Sequence, residues 1–497
     1  MHRNTYVILG AAAAAVIVAA ACSSSSKSTN PSSSTTVPSP AQSTPTTRAP
    51  APPGPAATLS GPITGGNGVS LLSATAVDLK QAAYTEAEYF ASGTAQSFKA
   101  AGPQGTDGRW SVAPDTKAAY RTRIIVRKPT ASRFNGTALV EWLNVSAGAD
   151  TAPDFSSAAS EITRSGFAWV GVSAQQIGVS GGAGVVPIAG LPPGGLRGSD
   201  PARYGSLRHP GDQYALDIFS QIGRAVRSSV GPARGGLKPE RVVAMGESQS
   251  AFELTTYIDA IQPTTHVFDG FFVHSRGGGA IPFGGGNIAK GINGGIRIRD
   301  DTDVPVFLVE TETDEVGLRY FDARQPDFDH LRLWDVAGAA HADTFTVGGS
   351  PYGIGCKSLI NSAPTHFVIA AALAQLDKWV RSGTPPPSAP RMQISLVGDK
   401  VVIRRDALGN AIGGVRTAAN DVPVAALSGA AGDSADILCG LFGSTKPFDA
   451  ATLARLYPSR ASYLARVDKA TDNAIASGYV LPADRAAIIA EAAKAKI

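Results

Sequence analysis

The chain has 497 residues, of which 43% are hydrophobic and 17% charged, with a formal net charge of +4. That is ample apolar content for a large buried core. The near balance of charges, with no Lys/Arg block and no basic stripe interleaved with aromatics, argues against a nucleic-acid partner.

Taken from the start, Arg3 supplies a short positive region and residues 6–21 are almost wholly apolar. The run is shorter than the about 20 residues a membrane span needs, and it fits the apolar core of a secretory signal over residues 1–21. It ends in Val18-Ala19-Ala20-Ala21-Cys22, followed by four serines. This stretch resembles the lipobox of bacterial lipoproteins, in which the cysteine thiol is diacylated and the chain is cut before it. Ala19 stands where a large apolar residue is usual, with Val18 one step earlier. Cys22 is the expected lipidation site and a membrane surface the expected partner, since each buried acyl methylene contributes about 0.8 kcal/mol. Plain cleavage after the Ala-x-Ala site, leaving a secreted protein, is the alternative. Residues 22–62 are Ser, Thr, Pro and Ala with hardly a large apolar residue. Such a segment cannot offset its ordering entropy and is predicted to be a disordered tether.

The body is predicted over 63–385, where strands and helices alternate. Strands are read at 120–126 (YRTRIIV), 137–143 (TALVEWL), 168–172 (AWVGV), 241–245 (RVVAM), 267–273, 304–309 (VPVFLV) and 331–336 (LRLWDV). A helix is expected around 155–164. Helical spacing of Tyr214, Ile218, Ile222 and Val226 predicts another, and Phe252, Leu254, Tyr257, Ile258 and Ile261 a third. Ile369, Leu373, Leu376 and Val380 mark a helix that ends near Gly383 and Pro385. Short apolar strands alternating with helices imply an α/β fold, a mostly parallel central sheet covered on both faces. The Gly/Pro-rich stretch 175–211 reads as a cap or pocket wall, with a surface loop as the alternative, and the loop 274–287 is a second candidate wall. Residues 386–497 form an expected C-terminal extension packed on the body, β-like at 392–405 and helical from 450. Cys356 and Cys439 remain as an even pair in an oxidising compartment, which favours a disulfide over two buried thiols.

Chemistry concentrates at Gly246-Glu247-Ser248-Gln249-Ser250, between an apolar strand and a helix. A nucleophilic serine on a sharp strand-to-helix turn needs small neighbours two positions away. Gly246 meets that need, and Ser250 replaces the commoner second glycine. A serine hydroxyl must lose its proton to a base. His341 is best placed, on a short loop after the strand 331–336; His274, at the end of 267–273, is the runner-up. A carboxylate must orient the imidazole, and the strand 304–309 runs into Glu310-Thr311-Glu312-Thr313-Asp314-Glu315. Asp314 is favoured as that acid, with Glu312 and Glu310 as alternatives. The chain order Ser248, Asp314, His341 is that of α/β-hydrolases. Two backbone N–H donors must hold an oxyanion: Gln249, after the nucleophile, and Asn144 or Val145, in the loop after the strand 137–143.

With these residues in hand, the chain resembles a family of bacterial α/β-hydrolase-domain proteins, secreted or lipoprotein serine hydrolases with this type of elbow. The motifs that carry the resemblance include Gly246 to Ser250, Glu312-Thr313-Asp314 and Ala337-Gly338-Ala339-Ala340-His341-Ala342-Asp343. Others are Arg203-Tyr204-Gly205 with His209-Pro210-Gly211-Asp212, the Cys356 region, Thr384-Pro385-Pro386-Pro387, and Cys439-Gly440-Leu441-Phe442-Gly443. The likeness runs from about Gly61 to the C-terminus. It implies the α/β-hydrolase fold and a hydrolase, and no particular substrate.

The reading that follows is a serine hydrolase cleaving a carboxylic ester, small or lipid-like, through an acyl-enzyme at the cell envelope. An envelope acyltransferase and a non-catalytic binding protein on a hydrolase scaffold are the alternatives, with a peptidase of the same fold behind them. No metal or organic cofactor is expected. There is no HExxH, P-loop or dinucleotide fingerprint, and neither Cys356 nor Cys439 has a CxxC or CxxH partner.

Overall fold

Runs of Val, Ile, Leu and Ala bounded by turn residues build the centre of a nine-stranded sheet. In chain order the strands are β1 (Thr58–Ser60), β2 (Tyr84–Ala100), β3 (Val112–Pro129), β4 (Thr137–Trp142), β5 (Ala168–Val172), β6 (Arg241–Glu247), β7 (Gly270–His274), β8 (Val306–Thr311) and β9 (Leu331–Val336). The computed structural model describes residues 54–72, 77–186, 194–231, 236–285, 294–353, 355–432 and 437–497. The expected signal, Cys22 and most of the tether lie outside these residues. The tether ends earlier than expected, because β1 already pairs with β2 at Thr58–Ser60.

The sheet order is β1-β2-β3-β5-β4-β6-β7-β8-β9. Strands β4 to β9 run parallel, whereas β3 pairs antiparallel with β5 and the long β2–β3 hairpin is antiparallel throughout. The period of two along each central strand divides its side chains between two cores. Val140, Val242 and Ala244 pack on one face with Ile218, Phe219 and Ile222 of the helix Ala215–Ser228. Leu139, Val243 and Met245 pack on the other, with Phe155 of α1 (Pro153–Arg164) and Val368, Leu373 and Leu376 of the helix Thr365–Ser382. With both faces covered, these strands are buried on both sides, which is why they read as near-continuous apolar runs. The helix Thr365–Ser382 stops at Gly383, whose φ of 70° supplies the left-handed C-cap expected there.

Sequence reading missed β2 and the first half of β3. That half of β3 is largely exposed and built of Pro, Asp, Thr, Lys and Ala, so it carries no apolar alternation. The extension adds two small antiparallel pairs, Ile394–Val397 with Lys400–Ile403 and Ala425–Ser428 with Ser444–Pro447, and then helices from Ala450. Cys356 and Cys439 are joined by a disulfide. Among the described residues no helix is long and apolar enough to cross a membrane.

Candidate active site

The chain winds from β4 to β5 on one side of the sheet and returns to β6 on the other. In such sheets the crevice for a ligand opens at the carboxyl edge of the strands on either side of that reversal. Ser248 follows β6 directly and lies at this edge. Its backbone stands at φ 57° and ψ −123°, a strained conformation, and the helix Gln249–Thr256 begins at the next residue. A Cβ on Gly246 would lie 3.1 Å from Ser250 Cβ and 3.1 Å from Leu254 Cδ1. The turn therefore requires a small residue at 246, and Ser250 fits the second position.

Three strand ends converge here. His341 Nε2 is 2.8 Å from Ser248 Oγ, and His341 Nδ1 is 2.6 Å from Asp314 Oδ1. Asp314 is itself held: its Oδ2 accepts from Thr311 N and from Thr311 Oγ1, both at 2.7 Å. The bond from Thr311 N, with Asp314 N donating back to Thr311 Oγ1 at 3.4 Å, closes a capping box at the start of the helix Glu312–Val316, so the fold fixes the carboxylate before any substrate arrives. All three side chains are buried.

The two alternative acids do other things. Glu312 accepts from Gly338 N at 2.9 Å and Gly429 N at 3.0 Å and pairs with Arg405 at 2.6 Å. It joins the His341 loop to the extension. Glu310 lies in the core, where burial pushes its carboxyl well above the usual range. His274, the runner-up base, has Nδ1 2.9 Å from Asp154 Oδ1, and burial holds its imidazole below the ordinary value. What it gives the elbow is its carbonyl, which accepts from Ser248 N at 3.0 Å.

For the oxyanion donors one correction is needed. Asn144 N donates to Thr151 O at 3.0 Å in the loop that follows β4, so that amide is already committed. Its side chain instead braces the elbow, donating to Glu247 O at 3.0 Å. Val145 N has only a long contact, 3.4 Å, to Gln249 Oε1. Gln249 N opens its helix and has no intrahelical acceptor.

Sequence reasoning also passed over Glu247. Its Oε1 is 3.4 Å from His341 Nε2, on the same side as the Ser248 hydroxyl. Burial raises its carboxyl to about 7, with His341 and His274 pulling the other way. Burial alone would lower the His341 imidazole, but Asp314 and Glu247 outweigh it and carry it to about 9. The available signal was a carboxylate at the end of a buried strand, a costly placement unless charge is used there.

A cavity of about 460 Å³ opens over Ser248 and His341. Val185 and Val186 line it, as expected for the stretch 175–211. The described part of the loop beyond His274, residues 275–285, does not reach it. Leu318, Leu438 and Leu441 form that wall instead. Among the described residues no group of three or more His, Cys, Asp or Glu side chains is placed to hold a metal ion.

A strand-to-helix elbow, a buried Ser–His–Asp chain and a crevice at the switch point define an α/β-hydrolase. The model of the alpha/beta hydrolase domain family matches residues 59–490, and the chain belongs to that family. A search of curated proteins returned no match. Among solved structures the chain is similar to an esterase from the fungus Rhizomucor miehei, with 10% identity, 62% of this chain and 93% of that one covered, and a TM-score of 0.30. A putative dienelactone hydrolase from Klebsiella pneumoniae matches at 9% identity over 49% of this chain and 85% of its own, with a TM-score of 0.25. A lidless α/β serine hydrolase from Xanthomonas campestris matches at 11% identity over 49% and 83%, with a TM-score of 0.26. None of these likenesses bears on substrate.

Proposed function

We propose that this α/β-hydrolase cleaves a carboxylic ester through an acyl-enzyme on Ser248, with His341 as base, Asp314 as its orienting acid, and Cys22 as the lipid anchor that keeps it at the cell envelope. The observation that carries the reading is the unbroken hydrogen-bond chain from Asp314 through His341 to Ser248 Oγ, at 2.6 and 2.8 Å.

In this reading Ser248 Oγ adds to the ester carbonyl as its proton passes to His341 Nε2. The developing oxyanion takes the N–H groups of Gln249 and Val145, the latter by displacing its long contact to Gln249 Oε1. Loss of one such donor typically costs about 3 kcal/mol. The tetrahedral species collapses, the alcohol leaves with the proton from His341, and water repeats the sequence on the acyl-enzyme to release the acid. The Asp314 carboxylate holds Nδ1–H and stabilises the imidazolium in both halves.

A fluorophosphonate probe should label the wild type and not Ser248→Ala, and Asp314→Asn should lower kcat on a p-nitrophenyl ester by roughly 10⁴-fold. Equal labelling of folded Ser248→Ala overturns the assignment. For the anchor, metabolic labelling with an alkyne-tagged fatty acid should mark the wild type and not Cys22→Ala. Equal labelling of the variant, or none of the wild type, refutes lipidation at that residue.

A further inference from the structure

We infer, resting on the ester-hydrolase reading, that the cavity over Ser248 takes an uncharged ester with an apolar acyl chain. We infer further that Leu438 and Leu441, held in place by the Cys356–Cys439 disulfide, set the length of chain it accepts.

Five aliphatic side chains line the cavity together with Ser248: Val185, Val186, Leu318, Leu438 and Leu441. Its polar groups are Asn144, Ser146 and Thr151 of the loop after β4, Thr346, and Ser248, His341 and Glu247 of the site itself. Among the described residues no Arg or Lys lines it. A substrate bearing a carboxylate on its acyl part would therefore meet no Arg or Lys, and the one cation within reach, the protonated His341, is the form that cannot act as base. Desolvating an unpaired carboxylate is strongly unfavourable, so an acidic acyl group is selected against. Each methylene buried along the aliphatic wall is favourable, by about fourfold in kcat/KM per group until the wall is reached.

The wall comes from an unexpected place. Leu438 and Leu441 sit on the short helix Ile437–Leu441 in the C-terminal extension, and Cys439 lies between them. The disulfide ties this helix to Cys356, a sequence separation of 83 residues. The helix also grips the base loop, because Leu441 O accepts from Ala342 N at 3.0 Å, one residue beyond His341. Next to it, Phe442 O accepts from Asn361 N at 2.9 Å, and Asn361 Nδ2 donates to Gly338 O at 2.7 Å. The bond thus fixes an aliphatic wall whose position relative to His341 is set by backbone contacts. Breaking it leaves the residues of the triad intact and frees the wall.

The test is a series of p-nitrophenyl esters from acetate to dodecanoate, with the p-nitrophenyl monoester of succinic acid as the acidic member. Wild type should show kcat/KM rising about fourfold per methylene over the short members, then levelling. The succinate monoester should be at least tenfold poorer than the pentanoate ester. Leu441→Trp should lower the ratio of long-chain to acetate kcat/KM by tenfold or more and move the optimum to shorter chains. The double variant Cys356→Ser with Cys439→Ser should flatten the profile through KM. Fluorophosphonate labelling at Ser248 reports that each variant retains its active site. A flat wild-type profile, a preference for the succinate monoester, or an unchanged ratio in labelling-competent Leu441→Trp overturns the inference while leaving the hydrolase reading standing. Absence of both labelling and turnover on every ester overturns the hydrolase reading itself.

Discussion

In the proposed mechanism His341 acts as a base only while unprotonated, so the groups that stabilise its imidazolium decide where in pH activity switches on. Burial pulls its imidazole down, but Asp314 at 2.6 Å and Glu247 at 3.4 Å prevail and lift it to about 9. Activity should therefore rise with pH along a limb lying above the 6.5 of ordinary imidazole, toward 9. Glu247→Gln removes one negative charge from beside Nε2, makes the imidazolium less stable, and should shift that limb to lower pH. A kcat/KM profile of the two proteins measures it; a limb that stays put or moves to higher pH would show that Glu247 does not tune the base. Ser248, His341 and Asp314 were legible because each ends a strand or follows one within a short loop, and the alternatives at Glu310 and Glu312 were separated only by their hydrogen bonds. Glu247 was illegible because its place in the elbow motif tolerates any residue. The choice between Asn144 and Val145 turned on a backbone bond to Thr151 that has no signature in sequence.

At the scale of elements, β2 and the first half of β3 are the largest feature that sequence reading missed, and a buried ion network ties this hairpin down beside the apolar packing of Tyr89, Ala91, Ala95, Tyr120 and Ile124. Arg123 of β3 donates to Glu88 of β2 at 2.7 Å, to Asp150 at 2.6 Å and to Ser173 at 2.9 Å. Arg203 approaches Glu88 from the other side at 2.5 Å, and Tyr204 donates to Glu88 at 2.8 Å. The Arg203-Tyr204-Gly205 motif, noticed in the sequence only as a resemblance, is thereby explained as a clamp on the hairpin. His209 and Asp212 of the neighbouring motif likewise fix the chain after β5, through Ala174 O at 2.8 Å and Gln176 N at 2.6 Å. Asp150 lies in the same loop as Val145, so the network also braces the segment proposed to supply an oxyanion donor. Arg123→Met would leave Glu88 and Asp150 buried with a cation missing between them, a change that typically costs about 3–5 kcal/mol. Denaturant unfolding should show a loss of that order. A loss under 1 kcal/mol would mean that water or Arg203 compensates, and that the network does not hold the hairpin.

For the molecule as a whole, the sequence suggested a hydrolase body ending near residue 385 with an extension laid upon it, and the contacts make that boundary porous. Val415 pairs in parallel with Val336 at the end of β9, and its amide donates to Asp335 O at 2.6 Å. Val415 and Leu427 are buried in the same core as Phe307 and Trp334 of the central sheet. Trp334 Nε1 donates to Pro387 O at 2.9 Å, Met392 N donates to Asp335 Oδ2 at 2.9 Å, and Arg405 neutralises Glu312 beside the base loop. None of these partners is near in sequence, and periodicity reports only which face of an element is apolar, so their pairing could not be read in advance. A chain ending at residue 385 would expose the apolar face around Trp334. It would also leave Glu312 buried without its arginine and the His341 loop without the Leu441 carbonyl. Such a truncation should yield insoluble or molten protein that fails to react with a fluorophosphonate, although all three triad residues remain in it. If it instead gave a soluble product that unfolds cooperatively and labels at the wild-type rate, residues 386–497 would be an appended domain, and the site would be complete without them.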